Sequence, residues 1–431
     1  MKQWVKINVI GFSLLTAQTL MASGYKMEFQ SASVLGDAGE AAVVEDAGTN
    51  WYNAAGLVYL PAQVVASVID VYAPTTFTGN TTARSLLGPA FDFHGTGRAS
   101  SHPNAILPAV HVALPITDKL AFGYSIVPAW GFTEDYGRSS IVRYDLIKVE
   151  TKTLDIAPSL ALKLNNQWSI AAGPDIHYFS VHSQSAVFTE PLTVGDSLAK
   201  FSGSDWVLGG HFGVLFRLND DTRIGLNYRT RMTMELNGPS TFILNGGATT
   251  STNSFKLTVP LPATTTLSAY RQLTCNWAVM GTIAYDQWSA LGQYYARNYK
   301  QPPSILNPAG IIPVVTQPQN MHDTIDVSVG AHYRLNEQWL LRGSIKYEPT
   351  PTNDTYRDVS FPDGEKLGLQ IGSRYQMTKK LAVDLLYGHV FVKTKNIHGI
   401  YPQQLYPNTV AASGHQRTSI DLLGAQLVWN I

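Results

Sequence analysis

The side chains that could do chemistry in this chain are dispersed, and none falls in a catalytic pattern. There is no G-x-S-x-G elbow, no H-E-x-x-H pair and no Gly-rich phosphate loop, the spacings that would set up a nucleophile, a zinc ion or a phosphate cradle. The single cysteine, Cys275, allows neither an intrachain disulfide nor a Cys-rich metal site. In "QLTCNWA" it reads as a turn thiol without a role. No cofactor is implied and no enzyme is expected. What remains is charge. By strand alternation, Arg223, Arg229, Arg231, Arg334, Arg342, Lys346 and Arg374 face the interior, as do Asp155, Asp175, Glu235 and Asp326. Such residues either neutralise one another in ion networks or grip the charged head of a ligand.

Short turns and the strands beside them must position these groups. Six stretches share one plan, an apolar residue, a polar turn and an apolar restart: "PITDKLAFG" (115–123), "LKLNNQWSI" (162–170), "FRLNDDTRIG" (216–225), "RQLTCNWAV" (271–279), "YRLNEQWLL" (333–341) and "YQMTKKLAV" (375–383). Asn, Asp, Thr and Lys at the tips are hairpin chemistry. Period-2 alternation flanks each turn. Leu120, Phe122, Tyr124 and Ile126 oppose Ala121, Gly123 and Ser125; Trp339, Leu341, Ile345 and Tyr347 oppose Arg342, Ser344 and Lys346. Ile224, Leu226, Tyr228, Met232 and Met234 read as one continuous face. Large apolar residues on one side and small or charged ones on the other fit a strand between lipid and a polar lumen. About 40 to 60 residues separate successive turns, room for two strands of ~10 residues and a long loop at the far end. Six turns joining seven hairpins give fourteen strands, from near Gln63 to "SIDLLGAQLVWNI" at the C-terminus.

Composition agrees. Charged residues make up only 14% and aromatics 11%, with 21 Tyr and 9 Trp; typical soluble domains carry ~25% charge. Formal net charge is zero, so nucleic acid is not an expected partner. "MKQWVK" followed by "INVIGFSLLTAQTLMA" reads as a signal peptide, residues 1–23. The fold class is therefore all-β: a fourteen-stranded antiparallel transmembrane β-barrel, 62–431, in a Gram-negative outer membrane. Residues 24–61 are left over. They are too polar for lipid, and Trp51, Tyr52 and Leu57 argue against a disordered tail. A barrel this wide has room for them inside.

That segment, "SGYKMEFQSASVLGDAGEAAVVEDAGTNWYNAAGL", is similar to the N-terminal hatch of FadL-type outer-membrane transporters of long-chain fatty acids, the OmpP1/FadL/TodX family. "IGLNYRTRMTMELNG", "AYDQWSAL", "WLLRGSIKYEPTP" and "FPDGEKLGLQIGSRYQMTKKLAVDLLYGHVF" resemble further family segments in the family's order. The resemblance implies passive uptake of long-chain fatty acids or similar hydrophobic compounds by a monomer embedded in outer-membrane lipid. Hatch movement and lateral exit through the barrel wall come with it. The alternative cargo is an aromatic hydrocarbon, which relatives of the family carry; a barrel-type lipid hydrolase is a more distant alternative. The family's Asn-Pro-Ala hatch motif stands here as Asn53-Ala54-Ala55, before Gly56; without the proline ring the turn is less rigid. The strand "LAFGYSIVPAWGFTEDYG" holds Pro128 and Gly131, which break a ladder. The resemblance makes Pro128, Trp130, Gly131 and Phe132 a lateral opening beside the hatch. Charged family positions near the inner pocket fall on His322 and Asp363, and Arg229, Arg231 and Arg342 are further head-group candidates. A basic family position falls on Ser185, a departure that leaves fatty acid and neutral hydrocarbon both open.

Overall fold

A computed structural model of the chain describes residues 26–84, 89–189, 195–300, 307–361, 363–401 and 410–431. The expected signal peptide lies outside the described residues. The strands are β1 (Gln63–Tyr72, resuming as Thr75–Ala83), β2 (Phe93–Ser101, Asn104–Pro115), β3 (Leu120–Val127, Thr133–Asp135), β4 (Lys148–Lys163), β5 (Trp168–Val187), β6 (Ser197–Arg217) and β7 (Thr222–Arg229, Met232–Ile243). They continue as β8 (Thr249–Leu261, Thr264–Gln272), β9 (Trp277–Asp286, Gln293–Lys300), β10 (Ile311–Pro318, Thr324–Arg334), β11 (Trp339–Glu348), β12 (Lys366–Gln376), β13 (Leu381–Val392, Lys395–Tyr401) and β14 (Val410–Asn430). Each pairs antiparallel with its sequence neighbour, and β1 pairs with β14 from Gln63↔Asn430 to Tyr72↔Asp421. The fourteen strands thus close on themselves, which removes the edges that would otherwise template aggregation.

All six turns use one device. Thr117, Asn165, Asn219, Thr274, Asn336 and Thr378 each turn a side-chain oxygen onto a backbone N–H two residues on. Such oxygens take over the donors that a tight turn leaves bare. Above the turns, Trp168 stacks on Phe216, Trp277 on Tyr333 and Trp339 on Tyr375, with centroids 4.4 to 4.7 Å apart. Rings with one polar end suit the membrane–water boundary. Farther along, Leu160, Ile345, Ile371, Leu385 and Leu423 stand exposed on the outside, an apolar band facing hydrocarbon.

Two sequence expectations change. The outer connections are only partly loops: 136–147 and 349–361 carry no strand, but 241–257, expected as loop, is the β7–β8 hairpin around a turn at 244–248, and 296–322 contributes to β9 and β10. Beyond the membrane the alternation reverses its sense, with Phe242 and Phe255 buried inward and Thr249, Ser251 and Asn253 opposite. The apolar-out signal vanishes there although the ladder continues. The second change is in β7. The ladder breaks between Arg229 and Met232, so parity flips: Ile224, Leu226 and Tyr228 point outward, while Met232 and Met234 are buried inside. A one-residue slip moves every following side chain to the other face.

Inside the ring lies the stretch from Lys26 to Leu60. It forms α1 (Ala32–Asp37), α2 (Thr49–Asn53) and a 3-10 turn over Ala54–Tyr59. Ser31 caps α1 with its hydroxyl, and Ala38, in the left-handed region at φ 60°, ends it. Helices this short are unstable alone; burial of Trp51, Tyr52, Ala55 and Leu57 against the wall holds them.

Candidate functional site

The break in β3 organises the interior. Pro128 has no N–H for the ladder, and Gly131 sits at φ 148°, a conformation that L side chains rarely adopt. The β2–β3 ladder stops at Val110↔Ile126, and above it residues 104–109 of β2 pair with β1 alone among the described residues. On the other side, β4 replaces lost ladder bonds with hydroxyls. Trp130 N–H donates to Thr153 Oγ1 at 3.2 Å, and Thr151 Oγ1 donates to Phe132 O at 2.8 Å. The segment 128–132 is thereby held inward. Trp130 is buried, edge-on to Trp288 with centroids 6.1 Å apart. The wall therefore has a seam between β2 and β3, filled from within by Trp130 and its neighbours.

Above the break is a large apolar chamber. It holds about 1210 Å³ of atom-free space, its open mouth included, between walls that include Phe179, Phe201, Leu236, Phe255 and Val259, with Phe132 at the break. Its polar groups are hydroxyls, amides and acids: Ser185, Tyr299, Gln317, Asp145 and Asp358 among them. No Lys, Arg or His lines it among the described residues, and 190–194, 301–306 and 402–409 contain none either. Nearby Lys300 turns its Nζ to Ala309 O. Burial pushes the Asp358 carboxyl up although Ser360 and Gln317 bond to it. Most of the lining, Phe179, Ser185, Phe201, Phe255, Tyr299 and Gln317 among it, lies on the outer parts of strands, while Asp145 and Asp358 come from loops. The inward phenylalanines, alternating with Ser and Thr, were the available signal.

Below the break is a second, polar chamber touched by Lys26, Glu28, Glu40, Trp130, Asp175 and Arg229. Arg229 pairs with Asp175 at 2.7 Å, lies over the Trp51 ring at 3.5 Å and donates to Trp51 O. Asp175 also meets His211 Nδ1 at 2.8 Å, while Ser159 Oγ lies 2.8 Å from His211 Nε2. This Ser-His-Asp chain has triad distances, but the Ser159 residue is only 2% exposed and offers no approach to a substrate carbonyl. It acts as a hydrogen-bond chain holding Asp175.

The N-terminal segment is fixed to the wall by named contacts. Asn53 caps the 3-10 turn through Ala55 N–H and donates from Nδ2 to Ala41 O and Val214 O at 2.7 and 3.0 Å. Ala54 and Ala55 are buried; Ser169 donates to Ala55 O. A Cβ at Gly56 would meet Val44 and Thr49, and one at wall residue Gly213 would lie 2.2 Å from Asn53 Oδ1. Across the lumen, Arg342 bridges Glu45 and Asp384, and Arg374 bridges Asp46 and Asp384 at 2.7 Å each. Lys26 reaches Asp286 at 3.0 Å. Burial alone would raise Glu45, but Arg342, His332 and Arg374 hold it far below the usual carboxylate range. Glu40 goes the other way: burial, only partly opposed by Lys26, pushes it up to about 7.

The five head-group candidates do not converge. Arg342 belongs to the ion network. Asp363 is buried with Lys366 and Thr350. Arg229 alone touches a chamber. His322 is exposed. Arg231 is exposed too, outside the barrel and not in the lumen, because the β7 break reverses its parity; Glu235 follows it outward. Arg334 is exposed near the β10–β11 turn.

A closed barrel with an apolar outer band and an apolar inner chamber defines an outer-membrane protein that handles hydrophobic molecules. Residues 13–427 match the family described as outer membrane protein transport protein (OMPP1/FadL/TodX), and the chain belongs to that family of hydrophobic-compound transporters. It is 24% identical over 430 residues to the long-chain fatty acid transport protein of Escherichia coli K12, spanning 87% of this chain and 89% of that one. It is 23% identical over 428 residues to outer membrane protein P1 of Haemophilus influenzae, spanning 90% of each. In fold it matches a FadL homologue of Pseudomonas aeruginosa with a TM-score of 0.81 at 18% identity, over 94% of this chain and 99% of that one. The Pseudomonas putida toluene transporter TodX follows with 0.70 at 16% identity, over 95% and 99%.

Proposed function

We propose that this chain is a passive channel for small hydrophobic molecules without a negative charge, aromatic hydrocarbons included. Cargo enters the upper chamber from outside and comes to rest against Phe132. The hatch, residues 24–61, shifts around Asn53–Gly56, Trp130 swings away, and the cargo leaves sideways through the seam at Pro128–Phe132. No nucleotide is needed. The membrane interior is the low-energy place for such a molecule, at ~0.8 kcal/mol per buried CH₂, and a lateral exit spares it the passage through water.

One observation carries this reading: the apolar chamber ends on the inward break of β3, where the β2–β3 ladder is interrupted. The choice of cargo rests on the chamber's chemistry. A carboxylate there would be desolvated without a cation and beside two acids, at high cost. Ser185, onto which the family resemblance places a basic position, is part of that wall. A fatty acid remains the second reading, supported by Arg229 at the lower chamber.

Uptake of labelled toluene and oleate by cells lacking their own transporter tests this. Toluene uptake that depends on the chain supports it. Oleate uptake alone makes Arg229 the head-group site. If neither enters, the transport reading fails for these cargoes.

A further inference from the structure

We infer that the outside of β1, β2 and β14, just above the apolar band, carries a binding site for the phosphorylated sugar head of an outer-leaflet glycolipid. Arg98 on β2 and Arg417 on β14 flank β1 at one level. Arg417 pairs directly opposite Thr76, Arg98 opposite Thr78, and Arg98 reaches back so that Nη2 donates to Thr76 Oγ1 at 3.4 Å. Two strands apart means roughly 10 Å of backbone separation, well within the joint reach of two arginine side chains. Both residues are exposed. They point outward because the alternate positions Phe77, Ala99 and Gln416 are buried inside.

Two guanidinium groups whose residues flank one strand position repel each other on approach unless an anion lies between them. Among the described residues neither forms an ion pair with any Asp or Glu. The adjoining segments 85–88 and 402–409 contain no acid. The outward carboxylate lower on β14, Asp421, lies four residues below Arg417 and is taken by His389 at 2.7 Å. Around the arginines the surface is hydroxyl and amide: Thr78, Asn80 and Thr96 are exposed, with Thr96 bonded to Asn80 at 2.7 Å. Cations set among sugar-compatible donors, directly above the outward Tyr72, Ile106 and Leu423, match a phosphate on a sugar whose acyl chains lie in that band. Guanidinium forks fit phosphate oxygens bidentately, and basic clusters at a membrane surface bind anionic lipid heads.

The full-length barrel, purified in mild detergent, should retain lipopolysaccharide, and Arg98→Glu with Arg417→Glu should reduce the retained amount at least tenfold. Arg98→Gln alone should reduce it severalfold, and Lys256→Glu, an exposed cation on β8, should change nothing. Heat-dependent migration in gels confirms that each variant is folded. Rebinding of dephosphorylated lipopolysaccharide should be as weak as in the double variant. Equal retention by the folded double variant, equal rebinding without phosphate, or displacement by millimolar inorganic phosphate alone would each overturn the assignment.

Discussion

The N-terminal segment meets the barrel through two unlike surfaces. Toward β9–β13 it is clamped by charge: Lys26 on Asp286, Glu45 on Arg342, Asp46 on Arg374, with Asp384 beneath. Toward β2–β6 it is held by neutral hydrogen bonds: His111 to Gln30 O, Asn50 to Ser125 and Ala157 O, Asn53 to Val214 O, Ser169 to Ala55 O. A neutral bond exchanges for water or ligand at a net ~1 kcal/mol. A buried ion pair cannot part without stranding its charges. The ionic half therefore reads as the anchor. The neutral half, which borders the β3 break through Met27 N–H on Ala129 O, is the half that the proposed movement would release.

The largest blow to this contrast is Arg342→Ala. It takes from Glu45 its closest cation and leaves Asp384 with Arg374 alone, and removing one partner of a buried ion network costs about 3–5 kcal/mol. The expected outcome is a segment that leaves the lumen, read as protease cleavage within 26–61 and sensitivity to a large hydrophilic antibiotic. Asn53→Ala on the neutral side should cost about 1–3 kcal/mol. Hydrogen exchange should quicken around Ala41 and Ala55 while the ionic half stays protected; equal loosening of both halves would erase the distinction.

Glu40 sharpens it by pH. Its seated carboxyl is raised to about 7 from an ordinary value near 4.5. A raised acid favours the seated state below 4.5 and loses that contribution as pH climbs through 7. Protease resistance of the segment should therefore rise between pH 8 and pH 5, and Glu40→Gln should flatten the rise. The smallest effect expected is from Ala54→Pro. Ala54 has φ −58°, after an extended Asn53, so proline fits without strain and should stabilise by about 0.4–1 kcal/mol, slowing uptake slightly.

Most of the barrel was legible in the chain because lipid enforces apolar-out alternation and each turn repeats the same oxygen-bearing residue. What escaped notice did so for physical reasons. Past the membrane, the outside faces water and the inside is apolar, so β7 and β8 around Phe242 and Phe255 lose the lipid-facing pattern. The break at Thr230–Arg231 has no Gly or Pro to announce it, and it moved Arg231, Glu235, Met232 and Met234 to the other face. Arg342, Lys346 and Arg374 were read correctly as interior cations, and Arg229 does pair with Asp175. The partners Glu45 and Asp46 lie some 300 residues away in sequence, beyond any local pattern. Pro128 and Gly131 flagged the β3 break; that Trp130 would fill it depends on Trp288, equally remote.

The proposed lateral exit depends on the seam between β2 and β3. The most direct test is toluene uptake by Gly131→Val, compared with the unaltered chain at matched amounts in the membrane. A branched side chain at φ 148° cannot keep the inward bend without strain of order 1–3 kcal/mol and adds bulk where cargo must pass. Uptake at least tenfold lower, with the barrel still heat-modifiable in gels and still binding cargo, is the predicted result. Undiminished uptake by the folded variant would contradict lateral exit at Pro128–Phe132.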